Sequence, residues 1–187
     1  MELYIKNMVC HRCIVAVEQA LTEVGILPLR VTLGEATVEK EPTEAQQQAL
    51  RQKLETLGFE LLDDARKQLI EKIKAIVIQR IHYGNDTRFV FSEVLARELA
   101  REYSQLSKLF STTEGITIEQ YVILQKIEKV KELLVYNQSN LNEIADQMGY
   151  SSVAHLSGQF KKVTGLTPSQ FKQQGIHLRK PLDRLGR

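Results

Sequence analysis

One set of residues recurs along this chain at a constant offset of fifty positions. Leu106, Phe110, Gly115, Thr117 and Tyr121 are answered by Leu156, Phe160, Gly165, Thr167 and Phe171. Leu and Phe four apart lie on one face of a helix. A following Gly stops that helix, because only Gly takes up left-handed backbone without strain. Thr two residues later caps the next helix. The same succession of buried face, stop and restart occurs twice, so this part of the chain is constrained to two copies of one helical unit.

The second copy is the more sharply punctuated. Asn140 is placed to cap a helix containing Leu141, Ile144 and Ala145, and Gly149 supplies a tight turn with Tyr150 buried behind it. Ser151 or Ser152 caps the next helix, in which Leu156 and Phe160 point inward, and Pro168 opens a last one with its fixed φ. Two helices joined by a short Gly turn form a helix-turn-helix, whose second helix enters a major groove. Helical patterns are predicted at 65–82, 92–100, 102–113, 117–135, 140–148, 152–164 and 168–174, with Tyr83–Arg88 as a loop.

The first third follows a different rhythm. Leu3-Tyr4-Ile5 reads as a strand, and Ile14, Val17, Leu21 and Val24 as a helix stopped by Gly25. Leu29, Val31 and Leu33 alternate into a turn at Gly34-Glu35 and a returning strand, Ala36-Thr37-Val38. Thr43 caps a helix with Leu50, Leu54 and Leu57 on its inner face, Gly58 ends it, and Phe59–Leu62 is a final strand. The order βαββαβ is the ferredoxin-like split arrangement. The predicted fold class is therefore α+β: a ferredoxin-like domain over 1–63, an all-α domain over 64–175 with two helix-turn-helix units joined by a long helix, and a basic tail over 176–187 that is partly mobile.

Charge follows the same division. Residues 1–64 hold 6 Lys/Arg against 11 Asp/Glu, net −5, and residues 65–187 hold 19 against 12, net +7. Only the second half is suited to meet a polyanion. No apolar run reaches membrane-span length, and the N-terminus lacks the basic and apolar segments of a secretory leader, so a cytoplasmic protein without a membrane partner is expected. No HExxH, phosphate-cradling Gly loop or nucleophile–base arrangement is present, which predicts a non-enzyme.

The cysteines, Cys10 and Cys13, form a single CxxC between the first strand and first helix. Thiolates so spaced converge on one soft ion, with Cys13 near a helix N-terminus where the dipole favours its thiolate. A closed tetrahedral zinc site needs four ligands, and His11 is the histidine near in sequence, so a two-coordinate Cu(I)-type site or one shared between subunits fits better, with Zn(II) next. A reversible thiol-disulfide sensor and a dimerisation or partner module without metal remain open, as does a metal chaperone or buffer.

Met8-x-Cys10-x-x-Cys13, the hairpin Val31…Gly34-Glu35-Ala36-x-Val38 and the closing Leu57-Gly58-Phe59 resemble the heavy-metal-associated domain of copper chaperones and metal-pumping ATPases. The resemblance implies Cys10 and Cys13 as ligands and Met8 as support beneath the loop. Asn7 and Val9 depart from the small residues usual beside that Met. Residues 66–173, through the duplicated unit and the long helix Thr117–Val135, resemble the DNA-binding domain of AraC-type regulators. That likeness implies base-reading positions at Ser104, Ser107 and Lys108 in the first unit and Ala154, His155, Gly158 and Gln159 in the second, with phosphate contacts from Ser151, Ser152, Lys161, Lys162 and Lys172. Ala100 stands at the usual turn glycine, Gly158 where Arg is frequent, and Lys126 and Val130 where Arg and Ala are frequent. The expectation is a DNA-binding transcription regulator that contacts RNA polymerase, with a homodimer extending its site, and with a metal ion at the CxxC loop controlling it.

Overall fold

The computed structural model describes residues 1–84, 90–136, 139–174 and 180–185. The chain divides into two compact units, Met1–Ile76 and Val77–Arg187.

The first unit runs β1 (Glu2–Lys6), α1 (His11–Glu23), β2 (Pro28–Thr32), β3 (Glu35–Val38), α2 (Glu44–Thr56), β4 (Glu60–Leu62) and most of α3 (Ala65–Ile78). Its strands form one antiparallel sheet in the order β2-β3-β1-β4. Alternation along β1 sends Leu3 and Ile5 to one face. Opposite them, in register, stand Ala36 and Leu61, and all four are buried with Val17, Leu21, Leu50 and Leu54 from the helices. Thr43 and Gln46 cap α2 reciprocally, as a capping box.

Leu57, expected on the inner face of α2, and Leu29, from the alternating pattern of β2, lie outside. Leu29 is 63% exposed because the β2–β3 register shifts between Pro28 and Arg30, and an irregularity of one residue turns a side chain to the other face. Leu57 is 45% exposed because it is the C-cap of α2, past the last turn that packs inward.

The boundary also falls later than Asp63-Asp64. Asp64 Oδ1 accepts the backbone N–H groups of Arg66 and Lys67 (2.8 and 3.1 Å), starting α3 at once. From α3, Lys72 Nζ lies 3.2 Å from Glu35 Oε2 and 4.6 Å from the Tyr4 ring centroid. Tyr4 alternates with Leu3 and Ile5, so α3 joins the first unit on the sheet face opposite α1 and α2. Helix α3 continues into a π-helical turn, Gln79–Tyr83, that periodicity does not predict.

The second unit contains α4 (Phe91–Leu99), α5 (Tyr103–Glu114), α6 (Ile118–Tyr136), α7 (Leu141–Gln147), α8 (Val153–Thr164), α9 (Pro168–Gln174) and a short 3-10 turn, Leu182–Arg184. Residues 85–88 of the expected loop, and 176–179, 186 and 187 of the expected tail, lie outside the described residues. Among the described residues no helix is long and apolar enough to cross a membrane.

The fifty-residue repeat is carried into three dimensions. Helices α5 and α8 both end at glycines in left-handed backbone, Gly115 (φ 74°) and Gly165 (φ 78°). Thr117 Oγ1 accepts the Gln120 N–H while Gln120 Oε1 accepts the Thr117 N–H (3.1 and 2.9 Å). Thr167 and Gln170 repeat the arrangement at 3.2 and 2.9 Å. Behind each box an aromatic pair closes the unit: Phe110 with Tyr121 at 5.6 Å, and Phe160 with Phe171 at 5.5 Å.

Candidate nucleic-acid interface

Each helix-turn-helix is held by its turn. In the second unit, Asn140 Oδ1 accepts the N–H groups of Asn142 and Glu143, while Glu143 accepts the Asn140 N–H, so α7 starts as expected. Gly149 takes φ 71° at the turn. Lys126 Nζ, from α6, donates to the Met148 carbonyl at 2.8 Å and sits 5.6 Å from the Tyr150 ring centroid. Burial lowers the Lys126 pKa. Lysine at this position thus ties the long helix to the turn.

Of the two candidate caps for α8, Ser152 is used: its Oγ accepts the His155 N–H at 3.1 Å. Ser151 instead meets His155 through its side chain, with Oγ 3.1 Å from Nδ1. The Tyr150 ring meets the imidazole edge-on at 5.2 Å. Tyr150 is half-buried, its hydroxyl has no hydrogen-bond partner among the described residues, and burial raises its pKa to about 12. His155 is therefore held on two sides at the start of α8.

On α8, Ala154, His155 and Gly158 are exposed and Gln159 is half-buried. On α5, Ser104 and Lys108 are exposed and Ser107 is half-buried. Ser151, Ser152, Lys161, Lys162 and Lys172 are exposed. The structure gathers the first-unit positions on α5 and those of the second around α8, with Lys172 on α9. A Cβ on Gly158 would meet nothing within 4 Å, so the fold of this chain does not require glycine there.

Two exposed residues escape the sequence reading. Gln105 on α5 stands fifty positions before His155, and Arg101 fifty before Ser151. The repeat offset is the signal that would have found both. At the turn of the first unit, Ala100 takes left-handed backbone (φ 49°, ψ 43°) where Gly is the unstrained choice. The Tyr103 hydroxyl donates to Glu119, which ties α5 to α6 and holds the Glu119 carboxyl below its usual range.

In the first unit, Met8 is 3% exposed beneath the cysteine loop. Asn7 enters that loop at φ 73°, its side chain donating to the Gly58 carbonyl at 2.9 Å. The two sulfurs are 3.3 Å apart, and both cysteines are half-buried. The expected polarity of the pair is reversed. Cys10 is the N-cap of α1. Burial opposes its ionisation, but hydrogen bonds from the Cys13 thiol and from the Cys13 and Arg12 backbone outweigh it, and the Cys10 pKa is lowered. Cys13 lies inside the first turn, where burial and the neighbouring Cys10 raise its pKa. Among the described residues no group of three or more His, Cys, Asp or Glu gathers into a metal site. The donor set is two thiols, which fits a two-coordinate soft ion and does not fit a closed tetrahedral one.

A family model described as "Helix-turn-helix domain" matches residues 95–174. That match lies wholly within the C-terminal unit and spans both recognition-helix candidates, α5 and α8. The chain is 32% identical over 69 residues to the probable transcriptional regulator LumQ of Photobacterium leiognathi, covering 37% of this chain and 28% of that one. It is 29% identical over 98 residues to the xylose operon regulatory protein of Escherichia coli K12, covering 51% of this chain and 25% of that one. The chain therefore spans about a quarter of the length of these relatives. Among solved structures, the C-terminal domain of AraT, a response regulator from Geobacillus stearothermophilus, has a TM-score of 0.52 at 22% identity, over 60% of this chain and 90% of that one. That likeness is one of fold.

Proposed function

We propose that this chain is a sequence-specific DNA-binding transcription regulator whose N-terminal unit is a ferredoxin-like thiol module that binds a thiophilic metal ion. The observation that carries the DNA reading is the duplicated unit: two recognition helices, α5 and α8, each ended by a left-handed glycine and followed by the same Thr–Gln box and aromatic pair. Helix α6, at 19 residues, spans about 28 Å and joins them. Base reading falls to Ser104, Ser107 and Lys108 on α5 and to Ala154, His155, Gly158 and Gln159 on α8. Phosphate contacts fall to Ser151, Ser152, Lys161, Lys162 and Lys172. Gln105 and Arg101 join them by repeat symmetry. The protein acts in the cytoplasm without catalysis, contacts RNA polymerase, and extends its site as a homodimer.

The metal reading is supported by the Cys10–Cys13 sulfur pair and by the two-thiol donor set, which favours Cu(I) over Zn(II). Cys10 and Cys13 would hold the ion, with buried Met8 supporting the loop. Control of DNA binding requires that metal affinity differ between two states of the protein.

The test begins with selection of bound duplexes from a random pool by the reduced protein. Anisotropy titrations of a selected duplex follow, with Cu(I), with Zn(II) and with chelator alone. A selected motif with affinity that changes with metal, and no such change in Cys10→Ser/Cys13→Ser, bears the reading out. Recovery of no motif overturns the DNA half. A motif bound with the same affinity under all three conditions overturns metal control.

A further inference from the structure

A cavity of about 350 Å³ lies within the second unit. Its walls are Leu124 and Ile127 of α6, Ile116 from the turn after α5, Val163 near the end of α8, and Leu185. The volume is at the lower end of small-molecule sites, about 300–1,000 Å³, and five aliphatic side chains share the wall with four charged ones.

The charged lining is uneven. Glu128 is 1% exposed, and both of its oxygens are engaged: Lys131 Nζ donates to Oε2 at 2.9 Å and the Lys180 backbone N–H to Oε1 at 3.0 Å. That carboxylate is neutralised within the wall. Lys180 and Arg184 also line the cavity, both exposed, and neither makes an ion pair among the described residues. The lining thus carries three cations against one anion, and two of the cations, Lys180 and Arg184, are exposed to solvent.

We propose that this cavity binds a small amphipathic carboxylate, its hydrocarbon body among Leu124, Ile127 and Val163 and its carboxylate between Lys180 and Arg184. An apolar body gains from leaving water, and an anionic head matches the excess positive charge. A bound ligand would touch the ends of both helix-turn-helix units and the helix joining them. Ligand binding is measured without DNA, so the inference fails or stands apart from the DNA reading.

The test is isothermal titration of the full reduced chain with octanoate, beside octan-1-ol and inorganic phosphate. The expected result is one octanoate site per chain, with octan-1-ol at least tenfold weaker and no competition from phosphate. Lys180→Ala/Arg184→Ala, at exposed side chains, should weaken octanoate roughly tenfold. Val163→Trp, which places an indole at a partly exposed position of the wall, should abolish binding. Absence of octanoate binding, equal binding of octanoate and octan-1-ol, competition by phosphate, or unchanged affinity in both variants would each overturn the proposal.

Discussion

Phe160 and Phe171 meet edge to face, 5.5 Å between ring centroids and 77° between planes, and neither is exposed to solvent. The contact joins the helix that would read DNA to the helix that follows it. It reappears fifty residues earlier as Phe110 on Tyr121. Truncating Phe160 to Ala opens a cavity in this core and should cost about 3–5 kcal/mol. Urea unfolding monitored by helical circular dichroism will measure it.

Ala100 and Gly158 are opposed cases of backbone chemistry. Ala100 is held at φ 49°, so Ala100→Gly should raise stability by about 0.5–1 kcal/mol, the relief of left-handed strain exceeding the entropy added to the unfolded chain. Gly158 has open space around a Cβ and sits mid-helix, so Gly158→Ala should also stabilise, by about 1 kcal/mol. Thermal melts of the two single variants and the double variant check both values and their additivity.

His82 supplies a pH dependence. Burial lowers its pKa, with Lys129 adding to the shift and the hydrogen bond to Gln125 Oε1 (2.9 Å) opposing it. A histidine depressed on folding binds its proton more readily in the unfolded chain. Its contribution is therefore present above the unfolded value of about 6.5 and is lost as pH falls through it toward the folded value. Unfolding free energy should decline from pH 7.5 to pH 5.5, and the decline should be shallower in His82→Asn.

Cys10, the thiol favoured as thiolate, should react first with iodoacetamide in reduced, metal-free protein at neutral pH. Peptide mapping at low conversion will find the label on Cys10 ahead of Cys13. Equal labelling would contradict the lowered Cys10 pKa and the raised Cys13 pKa.

Lys161 and Lys162 distinguish positioning from reading. Replacing either with Ala should weaken all duplexes alike and reduce the slope of log K against log salt by about 1, whereas His155→Ala should change which sequences are preferred. Anisotropy across a salt series on selected and scrambled duplexes measures both effects.

Most of the elements and many of their ends are legible in local sequence, the π-helical turn at Gln79–Tyr83 being an exception. Gly115 and Gly165 admit left-handed backbone, Asn140 and Thr43 cap helices with their own side chains, and Leu–Phe spacing marks one helix face. These are local properties, decided within four residues of chain. Tertiary structure alone decided the rest. The buried Glu128–Lys131 pair on α6 looks in sequence like any solvated i,i+3 pair, and becomes a cavity wall only when the segment from Lys180 to Leu185 lies over it. Leu29 turns outward because pairing with β3 shifts register at that point. Which cysteine ionises first depends on backbone N–H groups and burial at the loop, both set by how α1 seats against the sheet. Burial, register and the partners of a charge are made by segments distant in sequence, and no local pattern encodes them.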